Sequence, residues 1–109
     1  MEILLRVPET DDGSEAVYAY SCSGEYLGHA IGHLEGRDAV LETIFVKKHY
    51  EHQGVGRELF GMFVTLMREV GAMNLVGEFR PETGRQRAAA SFYKSMGVDI
   101  EGDTLKMNL

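Results

Sequence analysis

Val55, Leu59, Met62, Phe63, Leu66, Met67 and Val70 fall at steps that lay them along one side of a helix. Gly71 ends the run. About sixteen residues make about 24 Å of helix, enough to cross one face of a sheet, and so wide an apolar stripe must be buried against one. The sequence ahead of it supplies the strands. Met1 to Val7 alternates weakly and is closed by Pro8 and the acidic loop Glu9 to Ser14. Ala16 to Ser21 and Tyr26 to Leu34 flank Ser23-Gly24-Glu25 and read as a hairpin. Gly36-Arg37-Asp38 turns the chain into Ala39 to Val46, a β-branched and aliphatic run suited to a central strand. Beyond the helix, Asn74 to Phe79 predicts a strand, Pro81 to Gly84 a turn, and Arg85 to Met96 a second helix closed by Gly97. Val98 to Ile100 and Thr104 to Met107, joined through Gly102-Asp103, predict a closing hairpin.

One domain over residues 1–109 is expected, since a chain of 109 residues with 44% apolar and 26% charged residues can fill one core. Seventeen Asp and Glu against eleven Lys and Arg give a net charge of -6, which repels phosphate backbones and argues against a general nucleic-acid binder. The same excess either aids solubility or favours a cationic substrate. Cys22 is the single cysteine, so no internal disulfide is available. Nothing resembles a signal peptide or a membrane span, and a reducing cytosol is the expected compartment.

The segment His49 to Leu59 joins the strongest strand to the strongest helix. A helix start leaves its first N–H groups without internal partners and carries a partial positive charge, so it can receive a phosphate. Glycines at 54 and 56 remove side chains that would hold the backbone away from such a ligand. Tight turns and helix caps use glycines as well, so the pattern alone leaves both readings open. A Walker loop is excluded because no Gly-Lys-Ser or Gly-Lys-Thr follows. A dinucleotide fingerprint is excluded because the three spaced glycines are missing and the preceding strands form hairpins rather than βαβ units.

Glu51-His52-Gln53-Gly54-Val55-Gly56, followed by Arg57-Glu58-Leu59, resembles the signature of the GNAT acetyltransferases. That signature is Gln or Arg, two residues, Gly, one residue, then Gly or Ala, between the fourth strand and the following helix. Glu51 stands where the family carries Gln or Arg, and His52 where a glycine is common. Downstream, Gln86 to Val98 resembles the later family motif, in which an Asn and an Ala precede a Phe-Tyr or Leu-Tyr pair ahead of a Gly and an apolar residue. Gln86 replaces the Asn, while Ala89 and Phe92-Tyr93 fit. The two motifs and the strands between them cover about half of the chain.

The resemblance implies an α/β (α+β) fold with a mixed, largely antiparallel sheet of about six to seven strands and two main helices. It implies an acetyl-CoA-dependent N-acetyltransferase in which an amine of a small molecule or protein attacks the thioester directly. Residues 51 to 57, with Gln86, Ala89, Phe92 and Tyr93, would bind coenzyme A, and the backbone of Ile44, Phe45 and Val46 would pair with the pantetheine arm. Tyr93 would protonate the departing thiolate, a task suited to a phenol. A base must also take the amine proton. Glu42 is the candidate, on the expectation that strand alternation puts Asp38, Glu42 and Val46 on one face; a salt bridge or a solvated edge is the other reading.

Typical members carry two helices between their first and second strands, and Pro8 to Glu15 is too short for them. The acceptor side is therefore open, or completed by a second subunit as a homodimer, or by another protein. The stretch Gly77 to Thr83 with Phe92-Tyr93 is also similar to acetyltransferase-like domains of carrier-protein-acylating enzymes, so a phosphopantetheine carrier is an alternative partner. A non-catalytic acyl-CoA-binding or interaction module is the third reading. His29 and His33, about 13 Å apart by strand rise, either line an acceptor pocket or stand half-exposed on the sheet. Arg80, Arg85 and Arg87 either meet the adenosine 3′-phosphate or are solvated. No Cys or carboxylate set completes a zinc site with His49 and His52, so no metal is expected. Cys22 lacks an acid–base partner and reads as structural.

Overall fold

Leu59, Phe63 and Met67 are each fully buried, which is what the apolar stripe requires. In the computed structural model, which describes residues 1–10 and 12–109, the stripe belongs to α1 (Val55–Glu69). The sheet it covers has seven strands: β1 (Ile3–Arg6), β2 (Ser14–Ser21), β3 (Tyr26–Glu35), β4 (Asp38–Val46), β5 (Asn74–Glu78), β6 (Asp99–Glu101) and β7 (Thr104–Asn108). Their spatial order is β1-β2-β3-β4-β5-β7-β6. The second helix, α2 (Gln86–Ser95), lies between β5 and β6 in the chain. Among the described residues no helix interrupts the connection from β1 to β2.

The first four strands form an antiparallel meander, as their short turns dictate. A parallel pair needs a long crossover, and α1 provides it between β4 and β5. The last two pairings, β5 with β7 and β7 with β6, return to antiparallel. Val17, Ala19, Ala30, Leu41 and Leu75 from the sheet meet Val55, Leu59, Phe60, Phe63 and Met67 in one core. Phe92 of α2 sets its edge on Phe60 at 6.5 Å, so both helices pack on the same side of the sheet. The opposite face carries Tyr18, His29 and Phe45 in one cross-strand row, and no helix covers it among the described residues. No helix of the described residues is long and apolar enough to cross a membrane.

Two features of β4 build the site. Its pairing with β5 runs only from Asp38 opposite Asn74 to Leu41 opposite Gly77. β4 continues to Val46 while β5 stops at Glu78, so the strands fork. About 16 Å of β4 edge, counted at about 3.3 Å per residue, then lies without a β5 neighbour. The second feature is a bulge. Leu41 pairs with Gly32 and Thr43 with Ile31, which leaves Glu42 as the extra residue.

That bulge corrects the expected grouping of Asp38, Glu42 and Val46 on one face. An inserted residue shifts the period-two alternation by one place. Ile44 and Val46, opposite Ala30 and Gly28, consequently join Leu41 on the helix-covered side. Asp38 stays on the other side, where its carboxylate accepts a hydrogen bond from Asn74 Nδ2 at 3.2 Å. Glu42 also reaches towards that open side, against His33.

Candidate functional site

The uncovered end of β4, the start of α1 and one side of α2 enclose a cleft of about 530 Å³. Ile44 and Val46 form its floor. One wall is the connecting loop and first turn of α1: Tyr50, Glu51, His52, Gly54, Gly56 and Arg57. The other is the α2 side from Arg85 through Ala88, Ala89, Phe92 and Tyr93 to Met96.

Gly54 takes the N-cap position of α1 with φ 89°, a left-handed conformation that glycine adopts without a steric cost. No side chain caps the helix, so the first-turn N–H groups remain available at the cleft. Gly56 is pressed against Phe92: a β-carbon there would lie 3.0 Å from the ring. The missing side chain is what lets α2 close over the helix start. His52 is the one non-glycine residue with positive φ among the described residues, at 64°. The left-handed turn explains physically why a glycine is common at this place in the signature.

Glu51 and Arg85 meet across the mouth of the cleft, with Arg85 Nη2 donating to Glu51 Oε1 at 2.6 Å. Both line it. Arg85 thus supplies, from the N-cap position just ahead of α2, a cation beside the loop position where the sequence has an acid. Of the other two arginines considered with it, Arg80 pairs with Glu78 at 3.2 Å on the surface and Arg87 is exposed outside the cleft wall.

Tyr93 packs edge-on against Phe92 and Phe79, with ring centroids 5.3 and 6.2 Å away. Burial pushes its phenol above the ordinary value, because desolvation penalises the phenolate. The residue therefore keeps its proton through neutral pH. On the open face, His33 Nδ1 lies 2.9 Å from Glu42 Oε2 and Nε2 lies 3.0 Å from Glu35 Oε2. These two carboxylates raise the His33 pKa, Glu42 having the larger effect. His29 instead hydrogen-bonds Tyr26 Oη, and partial burial lowers its pKa.

The sequence-predicted residues divide cleanly. Ile44, Val46, Glu51, His52, Gly54, Gly56, Arg57, Ala89, Phe92 and Tyr93 are brought together at the cleft. Phe45 points out on the other face and is exposed, which leaves only its backbone on the β4 edge. Gln53 turns back to donate to the His49 carbonyl at 3.1 Å. The Val55 side chain belongs to the core, and exposed Gln86 stands outside the lining. Glu42 lies at the fork rather than in the cleft. Cys22 is exposed and donates to Glu2, which raises its pKa.

Sequence reasoning missed Tyr50, Ala88, Ser91, Ser95 and Met96, all of which line the cleft. Helical spacing from Tyr93 and Phe92 through Ala89 back to Arg85, and forward to Met96, carries the signal for most of them. Tyr50 comes from a short 3-10 turn at Lys48–Tyr50, and its hydroxyl donates to Glu25 across the sheet end. No local pattern announces that contact.

A family model described as acetyltransferase (GNAT) family matches residues 3–98. Sequence comparison with curated proteins finds no match. Among solved structures, the chain is similar to a nourseothricin acetyltransferase at 22% identity and a TM-score of 0.78, covering 97% of this chain and 84% of that one. It is similar to the PaiA N-acetyltransferase from Thermoplasma acidophilum in complex with coenzyme A: 18% identity, TM-score 0.74, 88% of this chain and 60% of that one. A structure from Bacillus anthracis str. Ames in complex with acetyl coenzyme A gives 18% identity and a TM-score of 0.80, over 92% and 65%. At these identities the structural likeness speaks to the fold.

Proposed function

Because the chain belongs to the GNAT acetyltransferase family, we propose that it moves an acetyl group from acetyl-CoA to an amine by direct attack on the thioester. One observation carries the reading: an uncapped helix start, the free edge of β4 and the proton-bearing Tyr93 all border the same cleft. Such an arrangement suits a long ligand with a diphosphate at one end and a thioester at the other.

The diphosphate is bound by the N–H groups that open α1, with the helix dipole and Arg57 favouring its charge. Main-chain donors and acceptors along residues 43–46 pair with the pantetheine amides, as an added strand would. The arm then leads towards the fork, where the acetyl group becomes reachable from the helix-free face. There the amine nitrogen attacks the carbonyl carbon and a tetrahedral adduct forms. As the C–S bond breaks, the Tyr93 hydroxyl protonates the sulfur, and burial suits it to that task because the phenol stays protonated. Glu42, the first β4 residue beyond the β5 ladder, receives the proton lost by nitrogen.

The test is a panel of amines with acetyl-CoA, following release of free thiol, with Tyr93→Phe beside the wild type. Activity with a loss of about tenfold or more in the variant supports the acid role; full retention refutes it. Calorimetry separates the other readings. Binding of a phosphopantetheinylated carrier but not of coenzyme A would replace this proposal with carrier acylation, and binding of neither would leave an interaction module.

A further inference from the structure

His33 stands between two carboxylates, and that imposes a condition on its protonation. A neutral imidazole has one N–H and one lone pair, whereas Glu42 and Glu35 are both acceptors when ionised. Only the imidazolium donates to both at once. The groups facing His33 are Glu42 from β4 and Glu35 from its own strand. Its ladder neighbours, Ser14 on β2 and Val40 on β4, carry no charge.

The placement of this line is set by the backbone. Glu42 is the bulged residue where β4 leaves β5, and the bulge aims it across β3 at His33 instead of leaving it in the alternation of the strand. Glu35 lies at the outer end, with 68% of its side chain exposed against 35% for His33 and 48% for Glu42. The three groups therefore run from the fork to solvent on the face that the helices leave open.

We propose that Glu42, His33 and Glu35 form a proton relay for the acceptor amine, with Glu42 taking the proton and His33 holding it on Nδ1 as an imidazolium until solvent water removes it from that nitrogen, while Nε2–H stays donated to Glu35 and the starting tautomer is restored. This rests on the acetyl-transfer reading above and adds to it the destination of the amine proton. In the working form His33 is neutral with its Nε2–H donated to Glu35, and no proton lies between Nδ1 and Glu42, so that contact is completed only once Glu42 has taken the amine proton. The N–H bond of the tetrahedral adduct breaks as a Glu42 oxygen gains the proton, and that proton passes to Nδ1. No redox partner or further reactant is required. The second carboxylate stabilises the imidazolium that forms, as a buried carboxylate does for the histidine of a hydrolytic triad. His33 acts through Glu42 and is in that sense a positioning residue.

The two hydrogen bonds raise the His33 pKa above its ordinary value, so activity falls on the acid side as His33 becomes protonated before turnover. The experiment is the pH profile of kcat/KM with an acceptor amine whose own pKa is below about 5, so that acceptor titration lies outside the window. The wild type is expected to show an acid limb above the free imidazole value of about 6.5. Glu35→Gln removes one stabilising carboxylate and moves that limb to lower pH. His33→Gln keeps a donor for Glu42 but cannot store a proton, so the limb disappears and kcat/KM falls by about tenfold to a hundredfold. Coenzyme A affinity, measured by calorimetry on the same proteins, is unchanged in both. If acetyl transfer occurs and His33→Gln retains the wild-type rate and limb, or Glu35→Gln leaves the limb in place, the relay is wrong. If no amine is acetylated at all, the failure belongs to the proposed function, and the binding measurements identify it as such.

Discussion

Replacing Glu51 with Gln removes a negative charge from the wall of the cleft at the point where a diphosphate is proposed to sit. In the free protein Glu51 holds Arg85 at 2.6 Å, with about a quarter of the Glu51 side chain and about half of the Arg85 side chain exposed. The pair is therefore well screened and adds little to stability. Its effect on ligand binding is larger. One carboxylate about 6 Å from a phosphate charge costs roughly 0.7 kcal/mol in a water-like dielectric, and two phosphate charges about 1.4 kcal/mol. Glu51→Gln should thus tighten coenzyme A binding about tenfold at low ionic strength, and Arg85 becomes free to turn to the phosphates. Near 0.15 M salt, where the Debye length is about 8 Å, the gain shrinks to about threefold. Arg85→Ala should act in the opposite direction, because it removes the cation and leaves Glu51 unpaired beside the ligand. Isothermal titration with coenzyme A at two salt concentrations measures all of this, and pantetheine, which lacks the phosphates, is the control that should not respond. Equal affinity of the Glu51→Gln and wild-type proteins for coenzyme A at low salt would refute the placement of the diphosphate beside this residue.

Two glycines give opposite predictions for the same substitution. A β-carbon at Gly28 would lie 2.2 Å from the Phe45 carbonyl oxygen and 3.0 Å from Val46 Cα; Gly28→Ala should cost about 1–3 kcal/mol and weaken coenzyme A binding by pushing β4 away. At Gly61, exposed inside α1, nothing lies within 4 Å of such a carbon, and Gly61→Ala should stabilise by about 0.5–1 kcal/mol. Thermal melts check both, at about 4–8 °C per kcal/mol for a domain near this size; a melting point for Gly28→Ala at or above that of Gly61→Ala would overturn the steric argument. His52 already holds φ 64°, so His52→Val, which adds a β-branch, should be about 1–2 kcal/mol less stable than His52→Gly. Equal melting points for the two variants would mean that the loop relaxes out of the left-handed conformation.

Everything that repeats over short distances was legible in the chain. Apolar steps along Val55 to Val70 fix α1 within a residue of its observed end, and turn residues such as Ser23-Gly24-Glu25 mark the hairpins, because both depend on neighbours in sequence. The glycine turn and Phe92-Tyr93 located the cleft for the same reason: the uncapped start of α1 and the α2 side are each local objects. Strand order was not local, and neither was the fork, since the length of the β4–β5 ladder depends on where two distant segments part. The bulge at Glu42 required knowing which β3 residue faces each β4 residue; without it, simple alternation put Val46 on the wrong face. Arg85 against Glu51 spans 34 positions and His33 against Glu42 spans nine. Such pairings have no periodic trace, so the sequence determined which groups were present and the tertiary fold decided which of them meet.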